Sequence, residues 1–229
     1  MLLSQFTARP GMRIGMCAGT FDPVTLGHHD MLENTLTEGE IDFLIVIPNA
    51  DSPEFKSYKP EASSNSDRTQ MLILAYKDHP RIIVMDVAFP TDVYERAVKE
   101  KLIAETKGQI KIANVVGTDL ALRYETMPDH RIVPVDRLIV HERYGYEGKV
   151  PDVIRGMPVK HLKATKPETA GVSSTDVKAF LRTHDGFYET DVLPPTSELA
   201  VLPVIARFIQ RTGRYRATCK KALSELGQR

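Results

Sequence analysis

The sequence predicts an α/β domain built on a doubly wound parallel sheet of about five to six strands, with helices on both faces. Three observations lead there. Short apolar runs rich in β-branched residues alternate with stretches of helical periodicity along the chain. No repeat and no long linker interrupts that alternation, so one continuous core is expected over residues 1–229. The 229 residues are 42% hydrophobic and 26% charged, an ordinary composition for a globular domain that buries its own core.

The elements follow in order. Ile14 to Ala18 reads as a first buried strand, ended by Gly19-Thr20-Phe21-Asp22-Pro23. Gly27 to about Glu38 reads as a helix, with Met31, Leu32 and Leu36 at helical spacing. Ile41 to Ile47 is a β-branched run that Pro48-Asn49 stops. A Ser- and Pro-rich loop is expected from Ala50 to Asn65, then a helix capped by Ser66 or Asp67 and carrying Met71, Leu72 and Ala75. Ile82 to Met85 gives a third strand, Val93 to Glu105 a helix and Ile110 to Val116 a fourth strand. Further strands are expected near Arg137 to Val140 and Val159 to Leu162, with elaborated loops at 142–160 and 184–197. Ser173 or Ser174 caps a helix of roughly ten residues. Ser197 starts a C-terminal helical extension, about 197–229, whose first helix runs to about Arg211 before Gly213. Residues 214–229 suit a short amphipathic helix with Cys219, Ala222, Leu223 and Leu226 on one face. The whole is a Rossmann-like arrangement, in which ligands bind at the carboxyl ends of the strands.

Charge and cysteine content narrow the function. Thirty Lys and Arg balance thirty Asp and Glu, so no global field draws in nucleic acid or an acidic membrane, and any anion must be gripped locally. Cys17 and Cys219 stand at opposite ends of the chain without a metal or disulfide pattern, which points to a reducing cytoplasm. The first residues lack the apolar stretch of a signal peptide, and no run approaches the roughly 20 apolar residues of a membrane helix.

Two segments carry chemistry. In the first, Gly19 to His29, a loop leaves the first strand and opens the first helix, the place where an α/β protein holds phosphate on N–H groups and the helix dipole. Gly19 and Gly27 leave room for close approach, Thr20 and Thr25 donate hydroxyls, and His28 donates from the first helical turn. The dipole opposes imidazolium there, so an empty site should lower the titration of His28 and a bound triphosphate should restore it. Asp22 suits a turn-stabilising role. In the second segment, Gly171 to Lys178, the hydroxyls of Ser173, Ser174 and Thr175 stand at another helix start. N-capping accounts well for one hydroxyl and poorly for three. Lys178 lies four residues after Ser174, on the same helical face.

The run GTFDPVTLGHHDML resembles the G-T-F-D-P-x-[HT]-x-G-H signature of the adenylyltransferase-like nucleotidyltransferases. These include nicotinate or nicotinamide mononucleotide adenylyltransferases, phosphopantetheine adenylyltransferases and cytidylyltransferases. Phe21 falls within this signature, and Thr25 stands where the usual first histidine would be, as in the phosphopantetheine enzymes. The Val172-to-Lys178 stretch is similar to the I-S-S-T-x-[IV]-R motif that embraces the ATP phosphates. Lys178 stands in place of its arginine, so a single ammonium replaces a guanidinium able to bind phosphate in two-pronged fashion. Gly117-Thr118-Asp119 looks like the G-x-D motif of the pyridine mononucleotide branch. There Asp119 would serve the ribose or base of a nucleotide, or cap the following helix. Arg68, Met71, Leu72 and Ala75 resemble that branch's R-x-x-M-L-x-x-A helix, in which Arg68 would face an anion or lie on the surface. Arg143-Tyr144-Gly145-Tyr146 resembles its R-x-G-Y turn. Pro203 to Ile209 followed by Gly213-Arg214-Tyr215 is similar to its C-terminal pattern. The branch's P-P-H-K loop is absent in that form, and Lys56 or Lys59 stands in the corresponding region.

The resemblance implies transfer of AMP from ATP to a pyridine mononucleotide with release of pyrophosphate, in NAD biosynthesis. Magnesium arrives with ATP and no protein metal site is implied. His28 is the implied catalyst with Lys56 or Lys59, and Gly19, Thr20, Phe21, Thr25, Gly27, Ser173, Ser174, Thr175 and Lys178 hold ATP. Arg68, Gly117, Asp119 and Arg143 serve the acceptor. The expected partners are ATP and a small phosphate-bearing acceptor, with neither nucleic acid nor membrane, and a homo-oligomer is compatible with the sequence. The alternatives are a phosphopantetheine adenylyltransferase and a nucleotide-binding regulator without turnover.

Overall fold

β1 (Arg13–Gly19) lies inside a seven-stranded sheet of order β3-β2-β1-β4-β5-β7-β6. The computed structural model describes residues 1–87, 94–142, 148–163, 169, 172–190 and 192–216. β2 (Phe43–Pro48) and β3 (Ile82–Val84) extend the sheet to one side of β1. β4 (Lys111–Gly117), β5 (Arg137–His141) and β7 (Met157–Leu162) extend it to the other, all in parallel. Only β6 (Val153–Ile154), hairpinned onto β7, runs antiparallel. The strand order therefore reverses between β1 and β4. Their pairing stops at Met16↔Asn114 although both strands continue, to Gly19 and Gly117. That gap at the carboxyl ends is the switch point at which doubly wound sheets bind ligands.

Strand alternation explains the two faces. In β2, Leu44 and Val46 join one core cluster while Ile45 and Ile47 join another, the period of two that a strand covered on both sides requires. On the first face, α1 (Leu26–Glu38) and α3 (Asn65–Tyr76) bring Leu32, Leu36, Met71 and Leu72. On the second, α4 (Tyr94–Thr106) lays Val98 and Leu102 against Ile14, Met16 and Ile83. α5 (Thr118–Tyr124) covers β5 with Ala121 and Tyr124. Each fully buried Leu, Ile, Val or Met side chain contributes roughly 1.5–3 kcal/mol. The chain start closes the β3 edge: the Val84 N–H donates to the Met1 carbonyl (2.9 Å), and Leu3 is buried. Pairing of this kind keeps an edge strand from offering free groups to another chain.

Several local expectations are corrected. The sheet gains β6, whose two residues are too few to show a period. α2 (Pro53–Tyr58) occupies the expected 50–65 loop, started by the Ser52 cap and Pro53 in the first turn. The cap of α3 is Ser64, not Ser66 or Asp67. α6 (Ser174–Thr183) has the expected Ser173 cap. The helix expected from Ser197 is two, α7 (Thr196–Leu199) and α8 (Pro203–Thr212). Ala200 at φ 54 ends the first, and Pro203 can only begin the second. α8 is no appendage, since Ile205 and Ile209 are wholly buried in the core under α1 and α3. Val93, the 143–146 turn, Gly171 and the amphipathic segment from 217 onward lie outside the described residues.

Candidate active site

The first loop is built around a helix cap that uses a histidine. Thr25 is the N-cap of α1, and its hydroxyl accepts from the His28 N–H (3.3 Å). In return, His28 Nδ1 accepts the Thr25 N–H (3.1 Å) and contacts the Thr25 hydroxyl (2.9 Å). This is a capping box in which His28 takes the place usual for Glu or Gln. With Nδ1 held as an acceptor, the neutral ring carries its proton on Nε2. The Phe21 ring, buried with backbone φ 51, lies 5.1 Å from the imidazole at 60° and fixes its other side. Thr25 therefore acts through His28 and α1 in this structure. The Leu26 N–H donates to the Ala200 carbonyl (2.8 Å), so the N–H groups of Leu26 and His28 both have acceptors within the protein. The helix start still contributes its dipole.

The two glycines stand where the protein itself leaves little room for a side chain. A Cβ on Gly19 would meet the Phe21 ring at 2.9 Å. One on Gly27 would meet the carbonyl oxygens of Thr169 (2.9 Å) and Val172 (3.1 Å).

Around this loop the fold gathers residues distant in sequence. Lys59, just past α2, donates from Nζ to the Thr20 hydroxyl (3.0 Å) at the end of β1. Lys56 turns away, donating to the Ala62 carbonyl (2.9 Å) and pairing with Asp51 (3.4 Å). The second segment docks on the first: the Ser174 hydroxyl donates to the Pro23 carbonyl (2.9 Å), and Lys178 Nζ to Asp22 Oδ2 (3.0 Å). Ser173 is the N-cap, its hydroxyl accepting the Asp176 N–H (3.2 Å), while Thr175 is exposed. Of the three hydroxyls, two thus have internal roles.

Arg68 is corrected most. Its side chain is wholly buried, so it does not lie on the surface. It donates to Asp51 (2.7 Å), the Ser63 carbonyl (2.9 Å) and the Thr20 carbonyl (3.3 Å), with its guanidinium 4.8 Å over the Phe55 ring. It is the peg that fastens the first loop to the 51–65 segment. On the other side of the crevice, Gly117 ends β4 and Asp119 is exposed in the first turn of α5, where a carboxylate suits the dipole. Gly117 itself holds the cap position, so Asp119 does not cap the helix. Arg143 lies outside the described residues.

Sequence reasoning missed the hub of this site. Asp22, only 1% exposed, receives the Tyr215 hydroxyl on Oδ1 (2.6 Å) and both Lys178 and the Ser63 N–H (3.2 Å) on Oδ2. Burial alone would raise its pKa, but the Tyr215 hydrogen bond and the Lys178 charge outweigh it and hold the carboxyl below the usual range. The signal was the Asp of the signature loop, which locally reads as a turn residue.

A family model described as cytidylyltransferase-like matches residues 16–180, and the chain belongs to that family of nucleotidyltransferases. A probable nicotinate-nucleotide adenylyltransferase of Cronobacter sakazakii is 26% identical over 218 residues, covering 86% of this chain and 93% of that one. One from Dehalococcoides mccartyi is 27% identical over 216 residues, covering 89% and 97%. The fold is shared with the nicotinic acid mononucleotide adenylyltransferase of Plasmodium falciparum solved with NaAD. That match has a TM-score of 0.62 at 16% identity, covering 89% of this chain and 97% of the other.

Proposed function

We propose that the protein transfers the adenylyl group of ATP to nicotinate or nicotinamide mononucleotide, releasing pyrophosphate, in NAD biosynthesis. The observation that carries this is the junction of the two segments at the switch point. Lys178 Nζ stands 3.0 Å from Asp22, and Ser174 is bonded to Pro23, beside the His28 cap of α1. The full-length relatives that carry the nicotinate-nucleotide adenylyltransferase name support the acceptor class.

In this reading an oxygen of the acceptor's phosphate attacks the α-phosphorus of ATP. The bond from that phosphorus to the bridging oxygen breaks, and its electron pair leaves on pyrophosphate. No side-chain nucleophile takes part, so the protein contributes position and charge. The Nε2–H of His28 donates to the α-phosphate region, where negative charge grows in the transition state. Lys178 and Lys59 bring cations to the first loop, and the exposed Thr175 is assigned to phosphate with them. Lys56 is assigned to the support of Asp51. The divalent cation enters as part of magnesium-ATP, held by phosphate oxygens and water. Asp119, in the first turn after β4, is assigned to the acceptor nucleotide's ribose.

The experiment is an acceptor panel of nicotinate mononucleotide, nicotinamide mononucleotide and phosphopantetheine, read by pyrophosphate release. A pyridine mononucleotide is expected to lead in kcat/KM by more than roughly tenfold, about 1.4 kcal/mol. Phosphopantetheine in first place would overturn the acceptor. Silence with all three would favour a nucleotide-binding regulator.

A further inference from the structure

Asp22 is a buried carboxylate that four segments share: the first loop, the 51–65 segment through Ser63, α6 through Lys178 and the C-terminal strap through Tyr215. The strap is held in place independently. The Tyr188 hydroxyl donates to the Arg214 carbonyl (2.6 Å), and the Arg214 guanidinium pairs with Asp67 of α3 (2.8 Å). Tyr215 itself sits at φ 67, a region aromatic residues seldom adopt, with its hydroxyl also accepting from Ser63 Oγ (3.2 Å). We infer that Tyr215 is a positioning residue for the nucleotide site, acting through Asp22 to let Lys178 pass to phosphate. This rests on the assignment of Lys178 to the triphosphate.

The physical reason lies in the two oxygens of Asp22. A carboxylate that is 1% exposed holds its one cation tightly, because releasing it would leave an uncompensated buried charge. Here Lys178 and the Ser63 N–H share Oδ2, while Oδ1 is satisfied by Tyr215 at 2.6 Å. When Lys178 turns to a phosphate, Tyr215 and Ser63 still hydrogen-bond Asp22 and stabilise its charge. Without the Tyr215 hydroxyl, Asp22 keeps its grip on the ammonium and ATP loses that cation.

The test is a double-mutant cycle on KM for ATP, with kcat followed alongside. Tyr215→Phe is expected to raise KM roughly five- to tenfold, with a smaller change in kcat. In a Lys178→Met background the same change should move KM by less than about twofold. Equal fold-changes in both backgrounds would make Tyr215 a structural prop and overturn the inference, as would no effect in the parent. If Lys178→Met alone leaves KM untouched, the phosphate assignment of Lys178 fails and the inference with it. Should Tyr215→Phe also lower the melting temperature, Asp22→Asn decides. That variant removes the charge that holds Lys178, so adding Tyr215→Phe to it should leave KM where it was; a further rise would overturn the inference.

Discussion

The two helix starts that carry the site, Thr25–His28 and Ser173–Lys178, look alike in sequence and differ in how they are completed. The first closes on itself: Thr25 and His28 exchange hydrogen bonds across three residues, and the ring's tautomer follows. The second also has an internal cap, Ser173 with Asp176, but its functional side chains are settled elsewhere. Ser174 and Lys178 end on Pro23 and Asp22, 151 and 156 positions away. A capping box orients an imidazole by local geometry alone. The ammonium of Lys178 is oriented by an acid from another part of the fold.

The largest effect is expected at Arg68, the peg that fastens the first loop to the 51–65 segment. Arg68→Met should lower unfolding stability by about 3 kcal/mol, because the Thr20 and Ser63 carbonyls and Asp51 lose a buried donor. That is the low end for a broken buried pair, as suits an Asp51 that is partly exposed. Urea denaturation measures it, and a loss below about 1 kcal/mol would mean the loop is held without Arg68. Next, His28→Ala should cost two decades or more in kcat, about 2.7 kcal/mol, with little change in KM for ATP. Steady-state kinetics that keep kcat within a few-fold would remove His28 as the charge-stabilising donor.

Acid tests the far end of the helix that carries His28. His141 is buried, and its Nε2–H donates to the Thr35 hydroxyl of α1 (2.7 Å), whose own proton goes to the Met31 carbonyl (2.8 Å). Burial lowers its pKa to about 4. Folding therefore favours the neutral ring: the stabilisation is complete above the ordinary value of 6.5 and is lost progressively as pH falls from there to about 4. By pH 5 the loss should reach about 2 kcal/mol. Denaturant midpoints at pH 8 and pH 5 for the parent and His141→Asn measure it, and an equal fall in both would assign the acid sensitivity to other groups.

Smaller changes separate the self-contained cap from the shared one. Thr25→Val should cost about 1 kcal/mol of stability through removal of the cap. It should also lower kcat, because the Thr25 hydroxyl no longer meets Nδ1 of His28. A kcat equal to the parent's would detach the cap from catalysis. Lys178→Arg should keep ATP affinity and Lys178→Ala weaken it several-fold, on the order of 1 kcal/mol, as read by calorimetry. Equal affinities for all three would take Lys178 out of the phosphate site.

Much was legible in the chain itself, because it rests on neighbours a few residues apart. Strand and helix periods place β1, α1 and β2 nearly to the residue. The cap Ser173 is set by a hydroxyl at a helix start, and the signature loop falls at the end of β1, as its order demands. The break at Ala200 and the two-residue β6 escaped that reading, since neither is long enough to show a period. Tertiary structure alone decided what the polar residues do. Arg68 looks like a surface arginine until partners 17 and 48 positions away enclose it, and Asp22 looks like a turn residue until Tyr215 arrives from 193 positions on. A buried charge takes its role from whatever surrounds it once water is excluded, and those surroundings exist only after the segments have packed together.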